Sequence, residues 1–406
     1  MRDVVAYREA KRTALILAGA QAVMGGAAPI AISMGGLAGY YLLDADKSLA
    51  TAPVTGFNIG VALGALPAAM LMRFVGRRNG LISGTAVTAL GGAIAAFALF
   101  QINFWMLVAG LLLVGAGNAF QQQYRFAAAD NAPADFKPRA ISWVLCGGVV
   151  AAILGPQLAI HTRELFEPVM FAGAFFSIVG LAVVGAMILS FLRLRNDGAN
   201  ATLGMEAEEP ARALPEILGQ PRFLVALLCG VSSFALMSFV MTGAPLAMIG
   251  CGFSADEATL GISWHVLAMF APSFVTGNLI ARFGKERIVS LGLLLLSGCG
   301  LVALSGTALW QFWLALILLG VGWNFGFIGA TAMVADCYRP SERNKVQGVH
   351  DFLLFSIVGF ASLMSGRIYT AFGWEMLNWI IFPVAGVCFL ILGMFALRRR
   401  LRSELA

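Results

Sequence analysis

Asn118-Ala-Phe-Gln-Gln-Gln-Tyr-Arg-Phe-Ala-Ala-Ala-Asp130 closes a long apolar run with polar side chains at helical spacing. Asn118, Gln121, Gln122 and Arg125 stand at i, i+3, i+4 and i+7, so a helix carries them on one face. An arginine about a turn and a half inside a membrane helix costs roughly 2.5–3.5 kcal/mol on insertion scales unless it meets a wet cavity or a partner. Such a face is a binding-site candidate.

The whole chain is built from runs of this kind. Of its 406 residues, 59% are hydrophobic and 12% charged, against about 25% charged in a soluble domain. It reads as an all-α polytopic membrane protein. At about 20 apolar residues per crossing, helices are expected near 13–43, 49–72, 79–100, 104–129, 140–161, 168–192, 222–249, 257–281, 288–308, 310–335, 346–370 and 374–397, which makes twelve. The charge-free run from Thr13 to Leu43 is longer than the 7–15-residue core of a cleaved signal, so it is read as the first span.

Charge gives orientation. Basic residues gather in the tails, in the centre, and in the links Arg73 to Arg78, Pro133 to Arg139, Arg282 to Arg287 and Arg339 to Lys345. Of 27 Lys and Arg, the opposite face keeps Lys47, Arg163 and Arg367. Both termini are therefore expected in the cytoplasm, with the chain in an inner (plasma) membrane. Because the net charge of +6 is spread over short links, it speaks for a lipid bilayer as partner and not for nucleic acid. The six cysteines stand singly, without the pairing that a zinc or redox site needs. No metal or cofactor is expected, and the chain reads as a monomer.

The longest polar interval, Arg193 to Arg222, contains Asn-Asp-Gly-Ala-Asn and Glu-Ala-Glu-Glu-Pro. It reads as a cytoplasmic linker, 193–221, between an N-terminal six-helix bundle, 1–192, and a C-terminal one, 222–406. The halves echo each other. Asn118, Asp130 and Arg139 have counterparts Asn324, Asp336 and Lys345, each 206 residues on, and Gly76-Arg77 and Gly284-Lys285 lie 208 apart. A two-fold repeat of six helices is an architecture used by secondary transporters.

On these features the chain resembles the major facilitator superfamily over its whole length. The family's loop signature between helices 2 and 3, roughly Gly-x-Leu-Ala-Asp-Arg-x-Gly-Arg-Arg, is matched in part by Arg73-Phe-Val-Gly-Arg-Arg78. Its repeat after helix 8 is matched by Gly277-Asn-Leu-Ile-Ala-Arg-Phe-Gly-Lys285. Both copies lack the signature aspartate, whose place is taken by Arg73 and Ala281. Asp130 with Pro133 and Arg139, and Asp336 with Pro340 and Arg343, are similar to the family's pattern after helices 4 and 10. The resemblance implies gating roles for Arg73, Arg77, Asp130, Arg139, Arg282, Lys285, Asp336 and Arg343, as ion pairs between helix ends that break and reform as the halves rock. In helix 5, Gly147-Gly148 and Gly155-Pro156 partly resemble the motif of the family's proton-coupled exporters, with Ala151 in place of a glycine. Close helix packing is a sufficient reason for those glycines.

Few ionisable groups lie inside the spans. Arg125 offers a fork of donors to an acidic or carbonyl-bearing substrate; alternatively it snorkels or pairs with Asp130. His265 lies about a third of the way into its span and is a candidate proton carrier or substrate donor, or else a core histidine. His350 and Asp351 point about 100° apart on a helix, so they are not expected to pair with each other, and Asp351 is a gate contact or a proton relay. Arg367 ends its span and snorkels outward. The other candidates are neutral: Gln21, Asn58, Asn118, Gln121, Gln122, Asn324 and Thr331, with Trp143, Trp264, Trp323, Phe325 and Phe327. Aromatic faces stack planar ligands, and amides supply paired donors and acceptors.

The reading is therefore a transporter and not an enzyme. A small organic solute binds between the halves, which rock to release it on the other side. Direct ATP use is excluded, since no Gly-x-x-x-x-Gly-Lys-Ser/Thr pattern is present. The family resemblance implies proton coupling, while the absence of Asp or Glu at mid-depth in any of the twelve spans leaves uniport or exchange open. A planar, vitamin-like solute fits the amide and aromatic inventory, and the chain has an overall resemblance to bacterial vitamin-type carriers of the superfamily. The alternative within the family is a drug or metabolite efflux antiporter. A non-transporting assembly factor or enzyme scaffold would need catalytic clusters or large extramembrane surfaces, and a channel would need a filter-like segment.

Overall fold

A computed structural model describes residues 2–43, 46–133, 136–193, 212–339 and 342–404. Its described residues form sixteen helices and no strand. The first half contains α1 (Arg2–Met24), α2 (Ala27–Leu42), α3 (Ala52–Val75), α4 (Arg77–Phe100), α5 (Phe104–Gln121), α6 (Tyr124–Asp130), α7 (Lys137–Thr162) and α8 (Ala172–Ser190). The second contains α9 (Leu214–Leu218), α10 (Pro221–Gly250), α11 (Ala255–Phe270), α12 (Ser273–Phe283), α13 (Lys285–Leu304), α14 (Leu309–Ala335), α15 (Arg343–Trp379) and α16 (Ile381–Glu404).

Among the described residues ten stretches are long and apolar enough to cross a membrane, and the pair α11–α12, bent by 42°, makes an eleventh. The last stretch, Val349–Arg398, has 50 residues, far more than the roughly 20 that one crossing takes. It breaks at Gly373, whose φ of 79° and ψ of −175° no helix tolerates. It therefore crosses twice, which brings the crossings to the twelve expected.

Three of the expected helices are not continuous. The first crossing breaks at Gly25-Gly26, the fourth at Gln122-Gln123 and the eighth at Ala271-Pro272. Pro272 has no N–H to give and its ring crowds the preceding turn, which accounts for the bend there. The break at Gly25-Gly26 instead follows from packing against α7. A Cβ on Gly155 would come 2.5 Å from the carbonyl oxygen of Gly26, and one on Gly147 would come 2.3 Å from that of Ala18. The helix 5 glycines thus let two backbones touch. Gly155→Ala should cost about 1–3 kcal/mol by overpacking, read as a lower Tm of the purified protein. An unchanged Tm would show that the contact yields without strain.

The repeat is visible in the backbone. Gly76 and Gly284 both stand at φ above +80° and ψ 155°, a conformation open to glycine, and each turns the chain directly into the next helix. Within the first half, α5 packs on α3 and α4, α4 on α8, and α7 on α1. Within the second, α14 packs on α10, α11 and α13, and α10 on α15. The groups meet chiefly along α3–α15, α7–α11 and α2–α10.

The expected linker, 193–221, falls largely outside the described residues. At its far end Arg212 donates to both oxygens of Glu342 (2.9 and 2.7 Å) and to the carbonyl of Cys337 (3.0 Å). The Arg212 guanidinium holds the buried Glu342 carboxyl well below the usual glutamate range. Its contribution to stability is complete above that range and is lost as pH falls through the lowered value.

Candidate functional site

The two groups of helices are joined on the face opposite the termini. Thr51 donates to the carbonyl of Ser362 (3.1 Å), and Thr55 to its hydroxyl (3.4 Å). Ser263 donates to the carbonyl of Ala152 (2.8 Å). Arg163, at the end of α7, lies side by side with Asp256 in the first turn of α11, with Nη1–Oδ1 at 3.0 Å and Nη2–Oδ2 at 3.4 Å. Ser254 caps that helix, donating its backbone N–H to Glu257 and accepting from the N–H of Glu257. Arg163 is 13% exposed and Asp256 42%, so an ion pair of this kind contributes about 1 kcal/mol at most. The packed seam between α3 and α15 carries the rest. Gly366 fits there because any Cβ would meet the hydroxyl of Thr51 at 2.5 Å.

Toward the termini the same helix faces separate. At the start of α3 the stripe Thr51 (just before the helix), Thr55 and Ile59 touches α15, yet its continuation, Leu63, Leu66 and Met70, is exposed, Leu66 to 73%. On α15 the stripe Gly366, Ser362, Gly359 touches α3, Phe355 is half-buried, and Phe352 is 65% exposed. Since these positions face the other half where the halves touch, they face a gap where the halves part. The molecule is sealed on one face and open on the face that carries its termini.

Arg125 stands in this opening. It is exposed, its guanidinium lies over the ring of Phe126 at 4.9 Å, and among the described residues Asp351 of α15 is an acid within its electrostatic reach. The carboxylate of Asp351 is exposed as well. Above Arg125, Asn118 donates to Gln121 (3.1 Å) and accepts from Gln122 (3.4 Å), so three of the four predicted residues form one chain of amides despite the break in the helix. Gln122 is exposed, whereas Gln121 is buried with its amide against the break at Gly25. Gln21 lies at the contact of α1 with Gly147. Asn58, next to Ile59 on the seam, is buried, and its Nδ2 has no partner among the described residues.

The second half contributes aromatic rings. Trp323 and Phe327 stack at 5.2 Å and 15°, and Phe234 meets Trp323, Phe327 and Phe355 edge-on. Trp323 is buried, with an indole N–H that has no partner among the described residues. Phe234 and Phe355 are two members of this cluster that periodicity alone did not single out, because an isolated Phe in an apolar run carries no signal. Trp264 is exposed on α11.

Other candidates have different surroundings from those expected. Asn324 is fully buried: it donates to the carbonyl of Met269 (2.6 Å) and to Ser273 (2.7 Å) and accepts from Thr276 (2.6 Å). It ties together the bend between α11 and α12, and no polar atom of its amide is left for a cavity. His265 is fully buried between α11 and α14, with Nδ1 2.8 Å from the carbonyl of Leu316. His350 and Asp351 do interact, Nδ1 to Oδ1 at 3.0 Å, contrary to expectation. The 100° rule applies to Cβ directions, and two short side chains whose polar atoms stay near the backbone can still turn toward each other.

Among the gating candidates, Lys285 and Asp336 pair at 2.5 Å, Arg222 adds a second bond to Asp336 at 2.6 Å, and all three belong to the second half. Arg282 lies over the ring of Phe283 at 5.3 Å, and Arg77 opens α4 directly after Gly76. The side chains of Arg73, Asp130, Arg139 and Arg343 lie outside the described residues.

Two groups of membrane helices joined on one face, with Gln122, Arg125 and Asp351 exposed on the other, are the arrangement of a membrane transporter. The chain belongs to the Major Facilitator Superfamily, whose family model matches residues 13–271 and 227–405. It is 50% identical over 381 residues, 93% of this chain and 94% of the other, to a protein of Brucella anthropi named riboflavin transporter RfnT. Two proteins of Bacillus subtilis, the uncharacterized MFS-type transporters YddS and YdeG, are each 30% identical. Those matches cover 91% and 88% of this chain and 87% and 86% of the relatives. The protein is thus a membrane transporter and not an enzyme.

Proposed function

We propose that the protein takes up riboflavin or a close flavin analogue by alternating access. The supporting observation is that the second half carries an aromatic cluster, Phe234, Trp323, Phe327 and Phe355, and the first half a chain of amides, Asn118, Gln121 and Gln122, with the guanidinium of Arg125 a turn further on. A flavin is a flat tricycle with an imide edge of two carbonyls around one N–H, and a hydroxylated chain. The rings stack on aromatic faces, the imide matches amide donors and acceptors, and a guanidinium reads a carbonyl. The 50% identical relative bears the name of a riboflavin transporter. In this reading Asn118, Gln122, Arg125, Asn58 and Trp323 touch the solute. Gln21 and Gln121 shape the break at Gly25-Gly26 behind it, and His265 and Asn324 hold the second half.

The test is uptake of labelled riboflavin into cells unable to make it, and binding to purified protein followed by quenching of flavin fluorescence. Trp323→Ala should weaken binding roughly 5- to 10-fold, the worth of one aromatic contact. Neither uptake nor quenching by the parent protein would reject the flavin.

The same reading has Asp351 as the proton-linked group, because among the described residues it is an exposed acid whose charge acts on Arg125. A protonophore should then abolish accumulation while exchange of labelled for unlabelled solute continues. Two six-helix bundles, 1–192 and 222–406, rocking about the linker 193–221, with the termini in the cytoplasm of an inner-membrane monomer, complete the proposal. The bias of basic residues toward the termini face supports that orientation.

A further inference from the structure

At the termini face a second cavity, of about 540 Å³, opens between α1 and α8, away from the gap between the halves. Its wall on α1 is Arg8, Lys11, Arg12, Leu15 and Ile16, and opposite stand Ile188 of α8 and Phe191 directly after it. The α1 residues stand at i, i+3, i+4, i+7 and i+8, one face of a single helix. That face changes character along its length: three exposed cations come first, followed by Leu15, 60% exposed. Opposite, Phe191 is 66% exposed. Deeper in, the groove closes where Ile188 meets Gly19.

Among the described residues no carboxylate pairs with Arg8, Lys11 or Arg12, and Lys11 rests only on the ring of Tyr7 at 4.9 Å. A fourth cation, Arg78, is anchored beside them, donating to the carbonyl of Ser190 at 2.5 Å. Cations near a membrane surface are ordinary. Three of them above an apolar groove that runs down into the hydrocarbon layer match one kind of molecule in both parts, an acidic head joined to an acyl chain.

We propose that this groove is a binding site for an anionic phospholipid, with the phosphate held by Arg8, Lys11 and Arg12 and an acyl chain laid along Leu15, Ile188 and Phe191. Each interfacial cation contributes about a five-fold gain in affinity for an acidic lipid, so the three together give on the order of a hundredfold. The occupant bridges α1 and α8, and so braces the first crossing, whose break carries the amide of Gln121.

The experiment uses the full-length protein in mixed vesicles of phosphatidylglycerol and phosphatidylcholine, extracted gently and weighed intact by mass spectrometry. The parent should retain phosphatidylglycerol in preference to phosphatidylcholine. The variant Arg8→Gln/Lys11→Gln/Arg12→Gln should lose about a hundredfold in that preference, and Leu15→Gln should lower retention with all cations in place. Arg287→Gln/Arg398→Gln, which removes two exposed cations elsewhere on the same face, should keep it. Equal retention by the parent and the triple variant overturns the proposal. So does equal loss in the Arg287/Arg398 variant, which would leave only general surface charge, or displacement of the lipid by millimolar glycerol phosphate, which would leave only a phosphate site. A gel-filtration profile matching the parent's establishes that each variant is folded.

Discussion

Arg125→Ala should lower riboflavin binding roughly 30- to 150-fold while leaving the protein at least as stable as the parent. The first number follows from removing a charged donor to a solute carbonyl, about 2–3 kcal/mol. The second follows from insertion, since an arginine at that depth carries its own cost of a few kcal/mol unless it is hydrated. A structural arginine would behave in the opposite way, with stability falling and binding following it. Binding titrations and thermal unfolding on the same preparation therefore separate the two roles. Arg125→Lys should recover little, because a point charge does not reproduce the planar fork. Binding by Arg125→Ala equal to the parent's would reduce the residue to a gate charge facing Asp351.

Gly366→Ala should open the face that is sealed here. The added Cβ would lie 2.5 Å from the Thr51 hydroxyl and 2.9 Å from its methyl, and Thr51 is wholly buried, with no room to turn away. Overpacking of this kind costs about 1–3 kcal/mol. The halves can escape it by parting at the seam, so the sealed state should lose between about 5- and 150-fold in relative population. A cysteine placed at Ser362, buried at the seam, reports the change as faster labelling by a membrane-impermeant maleimide from the face opposite the termini. Thr51→Ala combined with Gly366→Ala should restore slow labelling, because it removes the two nearest atoms. Slow labelling in the single variant would show that the seam absorbs a methyl group without parting.

The crossings, the repeat and the polar stretch at Asn118–Asp130 were legible in the sequence because hydropathy, charge bias and a fixed offset are one-dimensional signals. The structure adds matters of pairing across distance. Nothing in a linear reading connects Arg125 with Asp351 or Arg163 with Asp256, since each pair joins different halves. Phe234 and Phe355 were missed for the same reason, as an aromatic cluster exists only once three helices meet. Lys285 and Asp336 were expected as a latch between moving parts, but they pair within one half with Arg222, so their first effect is to fasten α10, α13 and α14 together.

The two asparagines of the repeat show why an offset identifies positions but not duties. Asn118 and Asn324 close equivalent apolar runs. Asn118 shares its amide with two glutamines, one of them exposed to the gap, whereas Asn324 spends every polar atom on the elbow at Pro272.

That difference divides the molecule for anyone who would redesign its cargo. The amide chain of the first half is loosely held, by bonds of 3.1 and 3.4 Å, and borders open space, so Asn118, Gln122 and Arg125 can be randomised together with little risk to folding. In the second half the matching Asn324 is a structural keystone, fully buried with three bonds to the bend between α11 and α12. A library that includes Asn324 by symmetry would lose members to misfolding, whereas one confined to the first half would spend its diversity on recognition.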